Sequence, residues 1–370
     1  MNICLVAGAR PNFMKIAPIV RAIEARKAKQ GLRAMIVHTG QHYDQNMSDT
    51  FFQDLGIPAP DYHLGAGSGS HAVQTAAVMV SFEQVCERDR PDMVVVVGDV
   101  NSTLACSVVA KKMQLAVSHV EAGLRSFDLT MPEEINRMVT DAISDLFFVT
   151  EQGGVDNLLR EGKQRDRIHF VGHVMIDNLL YQLNKLDEQT CSRFPSNRLK
   201  PQLGTYLFLT LHRPSNVDDP AVFARIAAAL NTLAATYPIV FPIHPRTRSR
   251  MEAFGIRFDE RIVLLEPLGF MESLNLWKDA AAVLTDSGGL QEETTALGVP
   301  CITLRDNTER PITIEMGTNV LAGNTTDGIL RAFERQMAER GNAPRQTRRP
   351  PLWDGKAAER IVEVLAKGAK

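Results

Sequence analysis

The chain has 370 residues, 44% of them hydrophobic and 23% charged, with a formal net charge of −2. That length holds two domains, the composition is globular, and basic residues crowd only at 245–250 and 345–349, which excludes the basic face that a nucleic-acid partner requires. The longest apolar runs, such as Met93–Val97, fall far below the roughly 20 residues that cross a bilayer, and no basic leader with a cleavage site opens the chain, so no membrane partner and a cytoplasmic protein are expected.

Six β-rich runs with helical patterns between them fill the first half: NICLVAG (2–8), AMIVHTG (34–40), DMVVVVGD (92–99), LAVSHVEAG (115–123), DLFFVT (145–150) and RIHFVG (167–172). Apolar runs of this length, separated by helices, predict buried parallel strands with right-handed crossovers. A polar stretch at 185–204, punctuated by Pro195 and Pro201, predicts a linker or surface excursion. A second α/β series follows with TYLFLTLH, YPIVFPIHP, RIVLLEP, AAVLTDSGG and PCITLR. The fold class expected is therefore α/β, two Rossmann-like domains facing across a cleft. Their bounds are 1–172 and 173–353, with a last helix at 354–367 packing back on the first domain.

Open α/β sheets bind ligands beyond the carboxyl ends of their strands. The residues standing there are Arg10 and Lys15, Gln41 and His42, Asp99, then Glu121 and Arg125. The second series places His212 and Arg213, His244 and Arg246, then Ser287, Gly288, Gly289 and Glu293. Arg10 and Lys15 in GARPNFMK can reach an anion, although the segment matches neither a dinucleotide fingerprint nor a P-loop. In MPEEINR, Pro132 pre-sets a helix whose first turn carries Glu133 and Glu134, and Arg137 can face the same way as either. In LTDSGGLQEE, two glycines open a helix whose amino end favours an anion, and Glu292 and Glu293 follow at once, which favours hydroxyls. A ligand with an anionic part and a hydroxyl-rich part satisfies both.

Five scattered cysteines without a CxxC pair predict buried, reduced thiols. Nine histidines without HExxH or HxH spacing predict no metal.

GARPNFMKIAPI, TGQHYD, VVGDVNSTLA, HVEAGLRSFD, MPEEINR, DSGGLQEE and LRDNTERP together resemble the non-hydrolysing UDP-N-acetylglucosamine 2-epimerases over nearly the whole chain. The resemblance implies a GT-B-like architecture, a homodimer and work in cell-envelope polysaccharide biosynthesis. It implies inversion at C2 of the sugar to UDP-N-acetylmannosamine through elimination of UDP to a glycal and re-addition, with no cofactor. By the same carry-over Ser287, Gly288 and Gly289 would hold the diphosphate, Glu293 the ribose, and Arg10, His212 and Arg310 phosphate, with Phe270 near uracil and His244 beside the nucleotide. Asp99, Glu121 and Glu133 would be the acid/base candidates, with Lys15 and Arg137 orienting them and His212 favouring departure of UDP. Two positions depart from the family pattern. Asn12 stands where many members carry Glu, and Tyr43 stands where members with an allosteric UDP-N-acetylglucosamine site carry Arg after Gln41 and His42. Competing activities are 2-epimerisation of a UDP-diacetamido uronic acid, hydrolytic 2-epimerisation and GT-B glycosyl transfer.

Overall fold

The computed structural model describes residues 1–40, 49–340 and 349–367. The six apolar runs of the first half become parallel strands, and a two-residue edge strand joins them: β1 Asn2–Ala7, β2 Arg33–His38, the short β3 Tyr62–His63, β4 Met93–Val97, β5 Ala116–Val120, β6 Leu146–Val149 and β7 Ile168–Phe170. They form one seven-stranded sheet in the order β3-β2-β1-β4-β5-β6-β7, every pair parallel. Cys4, Leu5, Val94, Val95 and Val96 are fully buried, as strands covered by helices on both faces must be. The strand order reverses at β1 and β4, so the crevice for a ligand opens beyond Ala7 and Val97.

The second sheet runs β10-β9-β8-β11-β12-β13, again all parallel. Its strands are β8 Leu207–Thr210, β9 Ile239–Pro242, β10 Ile262–Leu265, β11 Ala282–Thr285, β12 Cys301–Thr303 and β13 Asn319–Leu321. Its core joins Leu207, Leu209, Phe241, Leu284 and Ile302 to Phe223, Ile226 and Leu230 of the helix Pro220–Ala234. The reversal here lies between β8 and β11, beyond Thr210 and Thr285.

Two compact units result, Met1–Leu180 with Pro351–Lys370, and Tyr181–Pro350. The boundary falls after Leu180 and not after residue 172, because the helix Val174–Asn184 starts inside the first unit. Val174, Ile176 and Leu179 are fully buried, and Asp177 accepts from the backbone N–H groups of Ala357 (3.1 Å) and Ala358 (2.7 Å). The returning segment also buries Trp353, and its helix Ala357–Lys367 packs on the helix Arg10–Gln30. Residues 185–204 carry short helical turns, Glu188–Ser192, Pro195–Arg198 and Lys200–Leu203. Pro195 and Pro201 stand in the first turns of two of these, where a missing N–H is harmless. Cys4, Cys86, Cys106 and Cys301 are buried and Cys191 partly so, all as free thiols. Among the described residues no helix is long and apolar enough to cross a membrane.

Candidate active site

In the first unit the site is built where the sheet reverses. The helix Arg10–Gln30 opens directly beyond β1, with Pro11 in its first turn. Buried Asn12 accepts from Ala9 N–H (3.1 Å) and donates to the Val97 carbonyl (3.2 Å), which joins the helix mouth to the end of β4. One turn on, Lys15 Nζ reaches Glu121 Oε2 at 2.6 Å. Glu121 is 4% exposed and adopts a left-handed φ of 69°, a conformation costly for a residue with a Cβ. Its other oxygen, Oε1, is buried with no hydrogen-bond partner. Gly98 leaves room for the pair: a Cβ there would lie 2.9 Å from Lys15 Nζ, and its own φ is 68°. Arg10 begins the helix, and its side chain lies outside the described set, as do Gln41, His42 and Tyr43 entirely.

A second set of charges stands beside this one. Arg137 bridges two carboxylates, Asp99 at 2.5 Å and Glu134 at 2.7 Å, and Asn136 donates to the Asp99 carbonyl at 2.9 Å. Buried Glu134 also accepts from the backbone N–H groups of Ser126 (2.9 Å) and Phe127 (3.0 Å). Burial opposes its ionisation most, yet those N–H groups and Arg137 outweigh it and hold its pKa below the usual glutamate value. Glu133, the residue selected from sequence, is exposed at the mouth of the helix Pro132–Ile143. The glutamate paired with Arg137 is its neighbour. Its signal was available: Glu134, Arg137 and Asp141 share the buried stripe at helical spacing.

In the second unit the reversal between β8 and β11 gathers the predicted anion-binding residues. Asp286, fully buried after β11, accepts from the backbone N–H groups of His212 (2.9 Å) and Arg213 (2.8 Å) and from Asn216 Nδ2 (3.3 Å). It also sits 2.9 Å from His212 Nδ1, leaving the half-exposed ring to point its Nε2 edge elsewhere. Burial works against the Asp286 charge, but His212 and the two N–H groups keep its pKa lowered. His244 stands 5.9 Å from His212, ring to ring, and its Nδ1 caps its own helix by accepting from Arg246 N–H. Burial and the neighbouring His212 lower its pKa. Phe270 is the half-buried first residue of the helix Phe270–Trp277.

The helix Gly288–Leu297 begins right after Asp286 and Ser287. Ser287 makes no side-chain cap to it, so its first-turn N–H groups receive nothing from the residue that usually satisfies them. A Cβ added to Gly288 or Gly289 would meet nothing within 4 Å, and neither residue has a left-handed φ. The protein's own packing therefore gives no reason for glycine at either place. Deeper in the helix Glu292 and Glu293 are both buried, and Glu292 holds Arg310 Nε at 2.5 Å.

Burial, reinforced by Glu292, pushes the Glu293 pKa up to about 8. A carboxyl whose folded pKa is raised binds more protons folded than unfolded, so its contribution is intact at acid pH and is lost as pH rises from the ordinary glutamate value through about 8. Glu293→Gln, which cannot ionise, is expected to raise the Tm at pH 8 and leave it nearly unchanged at pH 4. A thermal-unfolding series from pH 4 to 9 checks this; a constant offset at every pH contradicts it.

The family model for UDP-N-acetylglucosamine 2-epimerase matches residues 24–366. The chain belongs to this family. A UDP-N-acetylglucosamine 2-epimerase of Methanocaldococcus jannaschii is 41% identical over 374 residues, covering 100% of both chains. The crystal structure of a Methanocaldococcus jannaschii UDP-GlcNAc 2-epimerase in complex with UDP-GlcNAc and UDP superimposes with a TM-score of 0.84 at 41% identity, over 100% of each chain. A UDP-2,3-diacetamido-2,3-dideoxy-D-glucuronate 2-epimerase of Pseudomonas aeruginosa is 39% identical, covering 99% of this chain and 100% of its own. Membership in the epimerase family agrees with the resemblance drawn from the motifs, and the two doubly wound sheets have the GT-B-like architecture of its solved members.

Proposed function

We propose that this protein interconverts UDP-N-acetylglucosamine and UDP-N-acetylmannosamine. The observation that carries the reading is Glu121, a buried carboxylate in a strained backbone conformation, with one oxygen held by Lys15 and the other without a partner. Strain and burial kept at such a residue suit a reacting group. The names of the relatives in Methanocaldococcus jannaschii support the same substrate.

In this reading Ser287, Gly288 and Gly289 take the diphosphate at the helix amino end, and His212, Arg310 and Arg10 add positive charge. Glu293 accepts the ribose hydroxyls, and Phe270 and His244 lie beside the nucleotide. The C1–O bond breaks with its electron pair leaving on UDP, and a carboxylate takes the proton from C2, so a C1–C2 double bond forms. A second acid/base group then delivers a solvent-exchanged proton to C2 on the other face as the UDP oxygen rebuilds the bond to C1. Asp99, Glu121 and Glu133 are the acid/base candidates. Lys15 orients Glu121, and Arg137 orients Asp99.

Proton NMR of the protein with UDP-N-acetylglucosamine in D2O tests this directly. The expected result is UDP-N-acetylmannosamine carrying deuterium at C2. Free UDP with free N-acetylmannosamine would assign hydrolysis instead. The Pseudomonas aeruginosa relative supports a second substrate, a UDP-diacetamido uronic acid, which the same assay resolves by exchange at C2 of that sugar alone.

A homodimer is part of the same proposal. Val73 and Val80 project from the helix His71–Asp89, and Ile135 and Met138 from the helix Pro132–Ile143, all exposed, and a cavity of about 570 Å3 between these helices is lined by Thr75, Ala76, Met79 and Ile135. Apolar area of this kind usually marks an interface. Sedimentation equilibrium is expected to give twice the chain mass.

A further inference from the structure

The mechanism above leaves unused a histidine that is fully buried two residues before Glu121. His119 Nδ1 lies 2.7 Å from Asp141 Oδ1, and its Nε2 lies 2.8 Å from the Gly98 carbonyl oxygen. A carbonyl oxygen only accepts, so Nε2 must carry a hydrogen. A carboxylate only accepts as well, so Nδ1 must carry one too.

The neutral alternative would move that second proton onto Asp141. Its surroundings oppose this. Asp141 Oδ2 accepts from Gly123 N–H at 3.0 Å and lies 2.8 Å from Arg125 Nη2, a guanidinium also held at two points by Glu161. Burial disfavours the Asp141 charge most strongly of any single influence, yet its pKa lies below the usual aspartate value, through Arg125 as well as through His119. The Gly123 N–H and the guanidinium at Oδ2 oppose a proton on Asp141 whatever the state of His119. The four side chains then form a balanced set, two cations with two anions, with His119 and Asp141 shut away from water.

We infer that His119 is a doubly protonated imidazolium that, with Asp141, acts as a positioning pair for the reacting carboxylates. This rests on the reading of Asp99 and Glu121 given above. The reach of the pair is visible in its bonds. Gly98 donates its N–H to the Val120 carbonyl (3.1 Å) and accepts from His119 with its own, so the turn between β4 and Asp99 is fixed at both groups. That same glycine borders the Lys15–Glu121 pair, since its missing Cβ would come 3.7 Å from Glu121 Oε2. Asp141 meanwhile ties Gly123, two residues beyond Glu121, through its backbone N–H. One buried ion pair thus sets the backbone on the Asp99 side and on the Glu121 side together. Without the Nε2–H bond the Gly98–Asp99 peptide loses the hydrogen bond on its carbonyl, which loosens the register of Asp99 with Arg137.

Two measurements test this. Nitrogen-15 NMR of histidine-labelled protein at pH 8, with the His119 signals assigned by their loss in His119→Gln, is expected to show two protonated-type ring nitrogens for His119, when an exposed imidazole is neutral. One protonated and one unprotonated nitrogen would overturn the inference. This arm needs no turnover, so its failure is separable from failure of the epimerase reading.

The second arm is a mutant cycle. His119→Gln leaves an amide oxygen against the Asp141 carboxylate, and kcat is expected to fall about 10²-fold, the scale of an ångström-sized misplacement of reacting groups, with KM changed less than about threefold. Adding Asp141→Asn supplies an amide N–H to the introduced glutamine and keeps an oxygen for Gly123 and Arg125, so the double variant is expected to recover most of the lost kcat. If both singles and the double fall equally while their Tm values match the native protein, positioning is wrong. A double variant that recovers the Tm but not kcat also overturns it.

Discussion

Glu121→Gln is expected to lower kcat by about 10²- to 10⁴-fold, the usual weight of one positioned acid/base group. The substitution exchanges a carboxylate oxygen for an amide nitrogen and leaves the shape alone. The glutamine side chain can still sit on the left-handed backbone and still take a hydrogen bond from Lys15 through its amide oxygen, so the fold has little to lose. What it cannot do is accept a proton at the place of the oxygen that now lies buried and unpartnered. The effect should therefore appear in kcat and not in KM, because Glu121 is not among the residues proposed to hold UDP. Deuterium entry at C2 of recovered substrate should stop in the same variant. A variant that keeps more than a tenth of the native kcat, or still washes deuterium into the substrate, would remove Glu121 from the reaction.

The strands of both sheets are readable because each long one is an unbroken apolar run, as β1 and β4 are. The two that escape such a reading, Tyr62–His63 and Asn319–Leu321, are edge strands of two and three residues, too short for any periodicity to show. The list of strand-end residues is also legible, since a strand's carboxyl end is a position in the chain. Pairing is not. Lys15 and Glu121 are 106 residues apart, and only the adjacency of β1, β4 and β5 brings them together. Which of Glu133 and Glu134 faces Arg137 turns on a rotation of about 100° around a helix axis, which a capping argument does not fix but the buried stripe of Arg137, Thr140 and Asp141 does. His119 and Asp141 escape because both lie inside the protein, where reading only strand ends does not look.

Glycines near the site separate into two kinds, and substitution should separate them experimentally. Gly123→Ala places a Cβ 2.3 Å from the Gly154 carbonyl oxygen, a backbone atom that cannot swing away, and does so at a φ of 78°. The left-handed conformation alone costs about 1–2 kcal/mol, and the overlap brings the total above about 4 kcal/mol, in the range of the most damaging single changes. The first unit should unfold about 10 °C lower or fail to fold. Gly289→Ala adds the same methyl group into open space at a helical position, where alanine is favoured over glycine by up to about 1 kcal/mol. Its Tm should hold or rise. If the empty space is the approach path of the diphosphate to the uncapped amino end of the helix, UDP binding should weaken tenfold or more, about 1.4 kcal/mol. Calorimetric titration with UDP reads this without any turnover. Native affinity in a Gly289→Ala protein of undiminished Tm would mean that the diphosphate is held elsewhere, and the assignment of Ser287, Gly288 and Gly289 would fall with it.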